Sequence, residues 1–228
     1  MIEQNLKQIK EKLQSTAQKY GVPTPKLVAV SKNHDIDAIL KAYQCGQRDF
    51  GENRVQELIK KVPLLPSDIR WHLIGTLQTN KVKYIANFIY CIHSVDSEKL
   101  LAEIDKQSKK YERINSVMLQ INISKEPQKH GCTYEEAKHL LSVVSKYPNV
   151  KIIGLMGIAE DTDDKAKILH QFTEIKNFFE ESKNIQHPQI QIQELCIGMS
   201  NDYELAIQAH STMVRIGTAI FGSRNKNL

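Results

Sequence analysis

Short apolar runs alternate with longer amphipathic segments along almost the whole chain. Eight of these runs are rich in β-branched or other apolar residues and have the length of strands. They cover residues 26–31, 48–52, 70–75, 88–94, 116–123, 150–156, 193–198 and 212–218. Because most of them are apolar on both faces, they are typical of the buried strands of a parallel sheet.

Segments with helical spacing separate the predicted strands. Several begin with residues that commonly cap helices, among them Asp35, and Thr133 with Glu136 as a capping box. The opening segment, MIEQNLKQIKEKLQSTAQKY, has a further amphipathic pattern that ends at Gly21. We therefore expect an additional N-terminal helix ahead of the first strand.

Strand and helix alternating eight times predicts a closed parallel barrel surrounded by helices, the (β/α)8 or TIM-barrel architecture. An open doubly wound sheet shows a similar alternation, but eight units within 228 residues and the absence of a glycine-rich first turn favour the barrel. No linker interrupts the pattern, so we expect one domain over residues 1–228. The predicted fold class is α/β, a single TIM barrel with an extra N-terminal helix.

The composition is that of an ordinary globular protein, with 41% apolar and 25% charged residues. No apolar stretch approaches the ~18 residues of a membrane span, and charges occupy the positions where a secretion signal needs an apolar block. We therefore expect a cytoplasmic protein without a membrane partner. The formal charge of +5 comes from scattered lysines without interleaved aromatic residues, so no nucleic acid partner is expected.

The four cysteines are Cys45, Cys91, Cys132 and Cys196. They are far apart, they form no CxxC pair, and no histidine stands at a recognised ligand spacing from them. We therefore expect free thiols and no metal site.

Lys32 follows directly after the first predicted strand, KLVAVS. The C-terminal strand ends of a TIM barrel form the mouth in which reactive groups collect. Desolvation among apolar residues favours the neutral amine, which is the form that adds to an aldehyde. Lys32 is therefore a candidate Schiff-base lysine, and the plain alternative is a solvated lysine that opens the loop.

The last two predicted strands each lead into a turn with a glycine and a hydroxyl. GMSND contributes Gly198 and Ser200, and RIGTAIFG contributes Gly217 and Thr218. Backbone N–H groups at such turns can donate to a phosphate, and these two loops often bind phosphate in TIM barrels. With Lys32 at the same mouth, they predict a phosphorylated aldehyde such as pyridoxal 5′-phosphate (PLP). A sugar-phosphate aldolase would use the same features, but its lysine is expected on a middle strand.

Eight blocks of the sequence carry a family resemblance. They are LVAVSK, FGENRVQE, WHLIGTLQTNK, HSVDS, INISKEPQKHG, GLMGI, GMSNDYELAI and STMVRIGTAIFG. In order and spacing, from Leu27 to Gly222, they resemble the pyridoxal phosphate homeostasis proteins, which are single-domain relatives of the alanine racemase barrel. The resemblance implies the PLP fold type III and PLP as the cofactor.

The resemblance also implies a set of PLP-binding residues, with Lys32 as the internal aldimine. The other members of the set are Asn53, His72, Ser200, Arg215, Gly217 and Thr218. The serine, glycine and threonine of this set would hold the phosphate. By similarity to the racemase barrel, Arg215 would lie against the pyridine nitrogen. Asn53, His72 and also Lys129 match family positions near the cofactor, with less definite roles.

An arginine at the ring nitrogen limits the chemistry of the cofactor. A permanently cationic guanidinium accepts no proton and keeps the pyridine largely unprotonated, so the ring is a poorer electron sink. Alanine racemases add a tyrosine from an extra domain of the partner subunit, and we expect no such domain here. We therefore expect a non-catalytic, monomeric carrier and buffer that supplies PLP to apoenzymes, with a PLP-dependent amino-acid racemase as the alternative.

Two further observations concern residues outside this binding set. His210 occupies a position where members of the family usually have glycine, and we expect it to lie close to the phosphate turn. Lys81 and Lys129 are additional amines that could take the aldehyde transiently during hand-over.

Overall fold

A computed structural model describes residues 1–126 and 128–222, so the last six residues of the predicted domain lie outside the described part. Eight parallel strands form a closed barrel in sequential order, with the first strand paired to the last. They are β1 (Lys26–Val30), β2 (Asp49–Glu52), β3 (Arg70–Leu73), β4 (Cys91–Val95), β5 (Asn115–Ile121), β6 (Val150–Gly157), β7 (Ile190–Cys196) and β8 (Met213–Ile216). The predicted TIM barrel is confirmed, and the assignment of one domain stays a prediction.

Helices surround the barrel. They are α1 (Ile2–Tyr20), α2 (Ile36–Gln44), α3 (Val55–Lys61), α4 (Glu98–Lys109), α5 (Tyr134–Val143), α6 (Lys165–Ser182), α7 (Tyr203–Gln208) and α8 (Thr218–Phe221). Between β3 and β4 the connection is a 3₁₀ helix, Thr79–Tyr84, and shorter 3₁₀ turns, Val62–Leu64 and Val144–Lys146, follow α3 and α5. Within the described chain, no helix is both long enough and apolar enough to cross a bilayer.

The capping signals in the sequence mark helix ends in the structure. The predicted N-terminal helix, α1, ends at Gly21, which has a left-handed backbone with φ of 67°. Asp35 accepts a hydrogen bond from the N–H of Ala38 at 2.8 Å. Thr133 and Glu136 form the predicted reciprocal capping box at the start of α5.

A small cluster of buried apolar side chains lies in the barrel interior. Its members are Val28, Cys91, Met118, Met156, Cys196 and Met213. A larger core lies between the strands and the surrounding helices. The four cysteines are free, as predicted: Cys45 is half-buried and the others are buried.

Two strands begin three residues away from their predicted first residue, and the other strand boundaries agree with the prediction to within two residues. β4 begins at Cys91 because the preceding apolar residues form a turn, in which the N–H groups of Phe88 and Ile89 donate to Ile85. β7 begins at Ile190, three residues earlier than predicted, although every second residue of its first half is exposed. An apolar run alone does not separate a strand from a buried turn.

Candidate functional site

The ends of β1, β7 and β8 lie side by side at one rim of the barrel. Gly217, which follows β8, packs so closely on β1 that a Cβ there would lie 3.1 Å from the carbonyl oxygen of Val30. The N–H of Arg215 donates to the carbonyl of Gly198, which follows β7, at 3.0 Å. The two predicted phosphate turns and the segment that carries Lys32 therefore share this rim.

Lys32 is half-buried and lies two residues beyond the end of β1. The residue before it, Ser31, is buried, and its N–H donates to the carbonyl of Gly51 at 3.0 Å. The residue after it, Asn33, has a left-handed backbone with φ of 60°. His34 N–H then returns to the carbonyl of Ser31 at 3.2 Å, so the segment around Lys32 forms a tight turn.

A buried ion cluster lies beside this turn. Lys61, the last residue of α3, places Nζ 2.7 Å from Oε1 of Glu52 and 2.6 Å from Oε1 of Glu57. Ser31 Oγ donates to the same Oε1 of Glu52 at 2.6 Å. Burial raises the pKa of Glu52 to about 7, although Lys61 and Ser31 act in the opposite direction.

Sequence reasoning did not assign a role to Lys61 or Glu57. The available signal was their spacing of four residues in the predicted helix after FGEN, which places both side chains on one helix face. That spacing is common on solvated helices, however, and only the packing of α3 against β2 shows that Lys61 is buried.

The turn after β7 leaves backbone donors available. The N–H of Met199 is taken by Oδ1 of Asp202 at 2.6 Å. Ser200 is half-buried, and its N–H and that of Asn201 make no backbone hydrogen bond within the described residues. After β8, Thr218 is exposed and is the first residue of α8. The backbone N–H groups of Ser200 and Asn201, in the turn after β7, can donate to the oxygens of an anion.

Arg215 is a buried cation inside the barrel, with 4% of its surface exposed. Its Nη2 donates to the carbonyl of Gly157 at 3.0 Å, and Nη1 lies 3.7 Å from Sγ of Cys196. In the described part of the chain it forms no ion pair with a carboxylate. A buried guanidinium with no carboxylate at ion-pair distance is costly unless its donors meet acceptors, so this arrangement suits a ligand with a hydrogen-bond acceptor.

His72 lies within the barrel in β3. Its Nδ1 is 2.8 Å from Nε2 of His93, and its Nε2 is 3.0 Å from Oδ1 of Asp49, the first residue of β2. Burial, with smaller contributions from His72 and Arg215, holds the pKa of His93 well below its usual value. A chain of polar groups therefore leads from the N-terminal end of β2 through the interior towards Arg215.

The structure also brings Cys91 close to these two histidines, a proximity that the spacing of the residues in the sequence does not indicate. Potential ligand atoms of His72, Cys91 and His93 lie within 4.8 Å of one another. Sequence reasoning did not find this group because its members come from two different strands. The facing nitrogens of the two histidines already share a hydrogen bond, so the group is held together without a ligand. The expectation of no metal site stays a prediction.

Asn53 is half-buried and follows β2 at the same rim. Its backbone lies directly against Gly75, where a Cβ would come 2.4 Å from the carbonyl oxygen of Asn53. Lys129 reaches across the loops at this rim, with Nζ 3.3 Å from the carbonyl of Ala159 and in an ion pair with Glu126. The roles of these two residues towards a ligand stay predictions.

Comparison with known proteins gives the family. The profile of the alanine racemase N-terminal domain matches residues 4–225. This chain belongs to that family. Among curated relatives, it is 40% identical over 229 residues to the pyridoxal phosphate homeostasis protein of Pasteurella multocida, covering 98% of each chain. The predicted relationship to pyridoxal phosphate homeostasis proteins is therefore confirmed.

Solved structures of other proteins share the fold of this member of the alanine racemase N-terminal domain family. PipY of Synechococcus elongatus PCC7942, solved with PLP bound, is 36% identical and superimposes with a TM-score of 0.85, covering 97% of this chain and all of PipY. Alanine racemase of Bartonella henselae shares the fold at 15% identity and a TM-score of 0.68, and the match covers 95% of this chain and 60% of the racemase.

Proposed function

We propose that this protein binds PLP with Lys32 Nζ bonded to the aldehyde carbon, and that it acts in PLP homeostasis as a carrier and buffer. The main support is the shared rim, because Gly217 in the turn after β8 packs on Val30, two residues before Lys32. A phosphate at that turn and an amine after β1 would then reach the two ends of one small cofactor. PipY, which is 36% identical, supports the choice of ligand because it was solved with PLP bound.

The described residues fit the chemistry of this cofactor. Arg215 is a buried donor with no carboxylate partner among the described residues, and the ring nitrogen of PLP is an acceptor. Ser200, Gly217 and Thr218 lie at the turns that would receive the phosphate. Asn53 at the rim would complete the set.

The role that we propose for His72 is indirect. Its described hydrogen bonds lead to His93 and Asp49, within the barrel. We infer that it supports the floor of the site beneath the cofactor, through His93 and the neighbouring Arg215.

PLP supplies an aldehyde and a pyridine ring that can take up electrons. Lys32 would be the residue that holds PLP covalently, since its neutral amine can bond to the aldehyde carbon with loss of one water. Arg215 would be the donor to the ring nitrogen and would give it no proton, because a guanidinium stays protonated. The unprotonated ring would poorly stabilise the negative charge on the deprotonated Cα of a bound amino acid. We therefore infer storage and delivery of PLP without efficient turnover of amino acids. The cytoplasmic location, the monomeric state and transfer to PLP-dependent apoenzymes are parts of this proposal.

Titration of the apo protein with PLP tests the binding step. We expect an absorbance band in the near-visible region that appears in the wild type and is absent in Lys32→Ala. Lys26→Ala is a suitable control, since Lys26 stands at the opposite end of the same strand. A band of equal intensity in Lys32→Ala would overturn the assignment of this lysine.

A PLP-dependent racemase is the second candidate, and the alanine racemase fold favours it. The two functions differ in the exchange of the Cα proton with solvent. NMR of amino acids in deuterated water, with the PLP-loaded protein, distinguishes them. We expect no sustained exchange, and exchange over many turnovers would establish the racemase instead.

A further inference from the structure

Lys61 has three hydrogen-bond acceptors for its three N–H groups. They are Oε1 of Glu52 at 2.7 Å, Oε1 of Glu57 at 2.6 Å and the backbone carbonyl oxygen of Ser31 at 2.8 Å. The side chain of Lys61 is 8% exposed and that of Glu52 is fully buried. The ammonium therefore has a fixed position, because any rotation would leave a buried donor without an acceptor.

This cluster contacts both peptide bonds that flank Lys32. The carbonyl of Ser31 belongs to the peptide bond that enters Lys32, and it accepts from Lys61. The N–H of Asn33 belongs to the peptide bond that leaves Lys32, and it donates to Oε1 of Glu57 at 2.6 Å. The same ammonium thus holds one peptide bond directly and the other through Glu57.

Two fixed peptide bonds determine the backbone angles of the residue between them. The direction in which Cβ of Lys32 leaves the chain is therefore set by the cluster. Ser31 adds a second connection, since its Oγ donates to Glu52. The left-handed backbone of Asn33, with φ of 60°, is held by the bond from its N–H to Glu57.

Stability alone gives little reason for such a cluster. A buried ion pair gains little over an apolar group of the same size, because desolvation of the charges offsets their attraction. A defined geometry is a better-attested use of buried charges than added stability. In this protein, the cluster fixes the backbone geometry of Lys32, a half-buried residue at the barrel rim.

We propose that Lys61, together with Glu52 and Glu57, is the positioning group for Lys32, and that it holds the Lys32 amine where the aldehyde of PLP is delivered. This inference rests on the proposed function. Lys61 itself touches no cofactor and acts only through the peptide bonds on either side of Lys32.

Lys61→Met removes the ammonium and keeps the length of the side chain. Lys26→Met is the matched control, since Lys26 pairs with Glu194, whose side chain is 9% exposed, at the other end of β1. Two readouts are needed: the equilibrium constant for covalent binding of PLP, and the hydrogen-exchange rate of the Asn33 amide in the apo protein. The second readout does not depend on the cofactor.

We expect Lys61→Met to lower the equilibrium constant for covalent binding by about tenfold or more, since misplacement of a reacting amine is costly. The Asn33 amide should exchange faster than in the wild type, and Lys26→Met should leave both readouts within about twofold. Normal binding and normal exchange in folded Lys61→Met would overturn the positioning role.

Glu57→Ala keeps the inference testable if Lys61→Met fails to fold, because Glu57 is the most exposed member of the cluster. It should speed exchange at Asn33 and weaken covalent binding severalfold, and no change in either would overturn the proposal. The proposed function fails in a different way: the wild type itself would then carry no PLP on Lys32, whatever the behaviour of the Lys61 and Glu57 variants.

Discussion

Gly217 and Val30 touch across the seam where the first and last strands of the barrel meet. A Cβ on Gly217 would lie 3.1 Å from the carbonyl oxygen of Val30 and 3.2 Å from its Cβ. Both are rigid atoms, so an added methyl group would separate the turn after β8 from the end of β1. The distance between the proposed phosphate turn and Lys32 therefore depends on the absence of a side chain at position 217.

Gly217→Ala should weaken PLP binding by about tenfold, as overpacking of rigid neighbours costs 1–3 kcal/mol. The reason is the displacement of the phosphate turn, so the loss should be smaller for pyridoxal, which lacks the phosphate. Affinity measurements with both compounds check this. An equal loss for the two compounds would contradict a phosphate site at this turn.

Gly75→Ala should affect the other side of the mouth. A Cβ at position 75 would come 2.4 Å from the carbonyl oxygen of Asn53 and 2.9 Å from its Cα, so Asn53 must move. If Asn53 contacts the cofactor away from its phosphate, the affinities for PLP and for pyridoxal should fall by the same factor. Unchanged affinity for both, in a folded variant, would remove Asn53 from the binding set.

Glu52 should make stability depend on pH near neutrality. Burial raises its pKa from 4.5 to about 7 in the folded protein. The folded state therefore holds this proton more tightly than the unfolded state, and the resulting stabilisation is complete below about pH 4.5 and is lost as the pH rises through 7. The size is on the order of 3 kcal/mol.

Glu52→Gln removes this titration and keeps an acceptor for Ser31. Urea unfolding of wild type and variant between pH 5 and 8 measures the difference. We expect the wild type to lose unfolding free energy relative to Glu52→Gln as the pH rises. A constant difference across this range would show that Glu52 does not titrate there.

His210→Gly should stabilise the protein by about 0.5–1 kcal/mol. His210 is exposed and has a left-handed backbone, with φ of 65°, in the turn between α7 and β8. Glycine adopts this conformation without a steric cost, which explains why it suits this position. Thermal unfolding measures the effect, with His210→Ala as a control that should not stabilise. Equal stability of the two variants would contradict the explanation.

Much of the fold could be predicted from the sequence, because alternation of apolar strands with amphipathic helices has few solutions other than a barrel. Lys32 could be chosen as a candidate for the same reason: it directly follows a strand whose end faces the mouth. The role of Lys61 could not be predicted, since its contacts with Ser31 and Glu52 join α3 to two different strand ends.

The hydrogen bonds among polar side chains inside the barrel also could not be predicted from the sequence. His72 could be selected only through the family resemblance, and its hydrogen bonds to His93 and Asp49 depend on the register of neighbouring strands. That register is set by the closure of the whole barrel. The sequence pattern of a single strand therefore does not predict the register between neighbouring strands.

The central claim is that Lys32 is the amine that bonds to PLP. Reduction of the PLP-loaded wild type with borohydride converts the carbon–nitrogen double bond into a stable secondary amine, and peptide mass spectrometry then locates it. We predict one reduced PLP per chain, on the peptide that contains Lys32. Reduced PLP on Lys61, Lys81 or Lys129 instead, or on no lysine at all, would contradict the account.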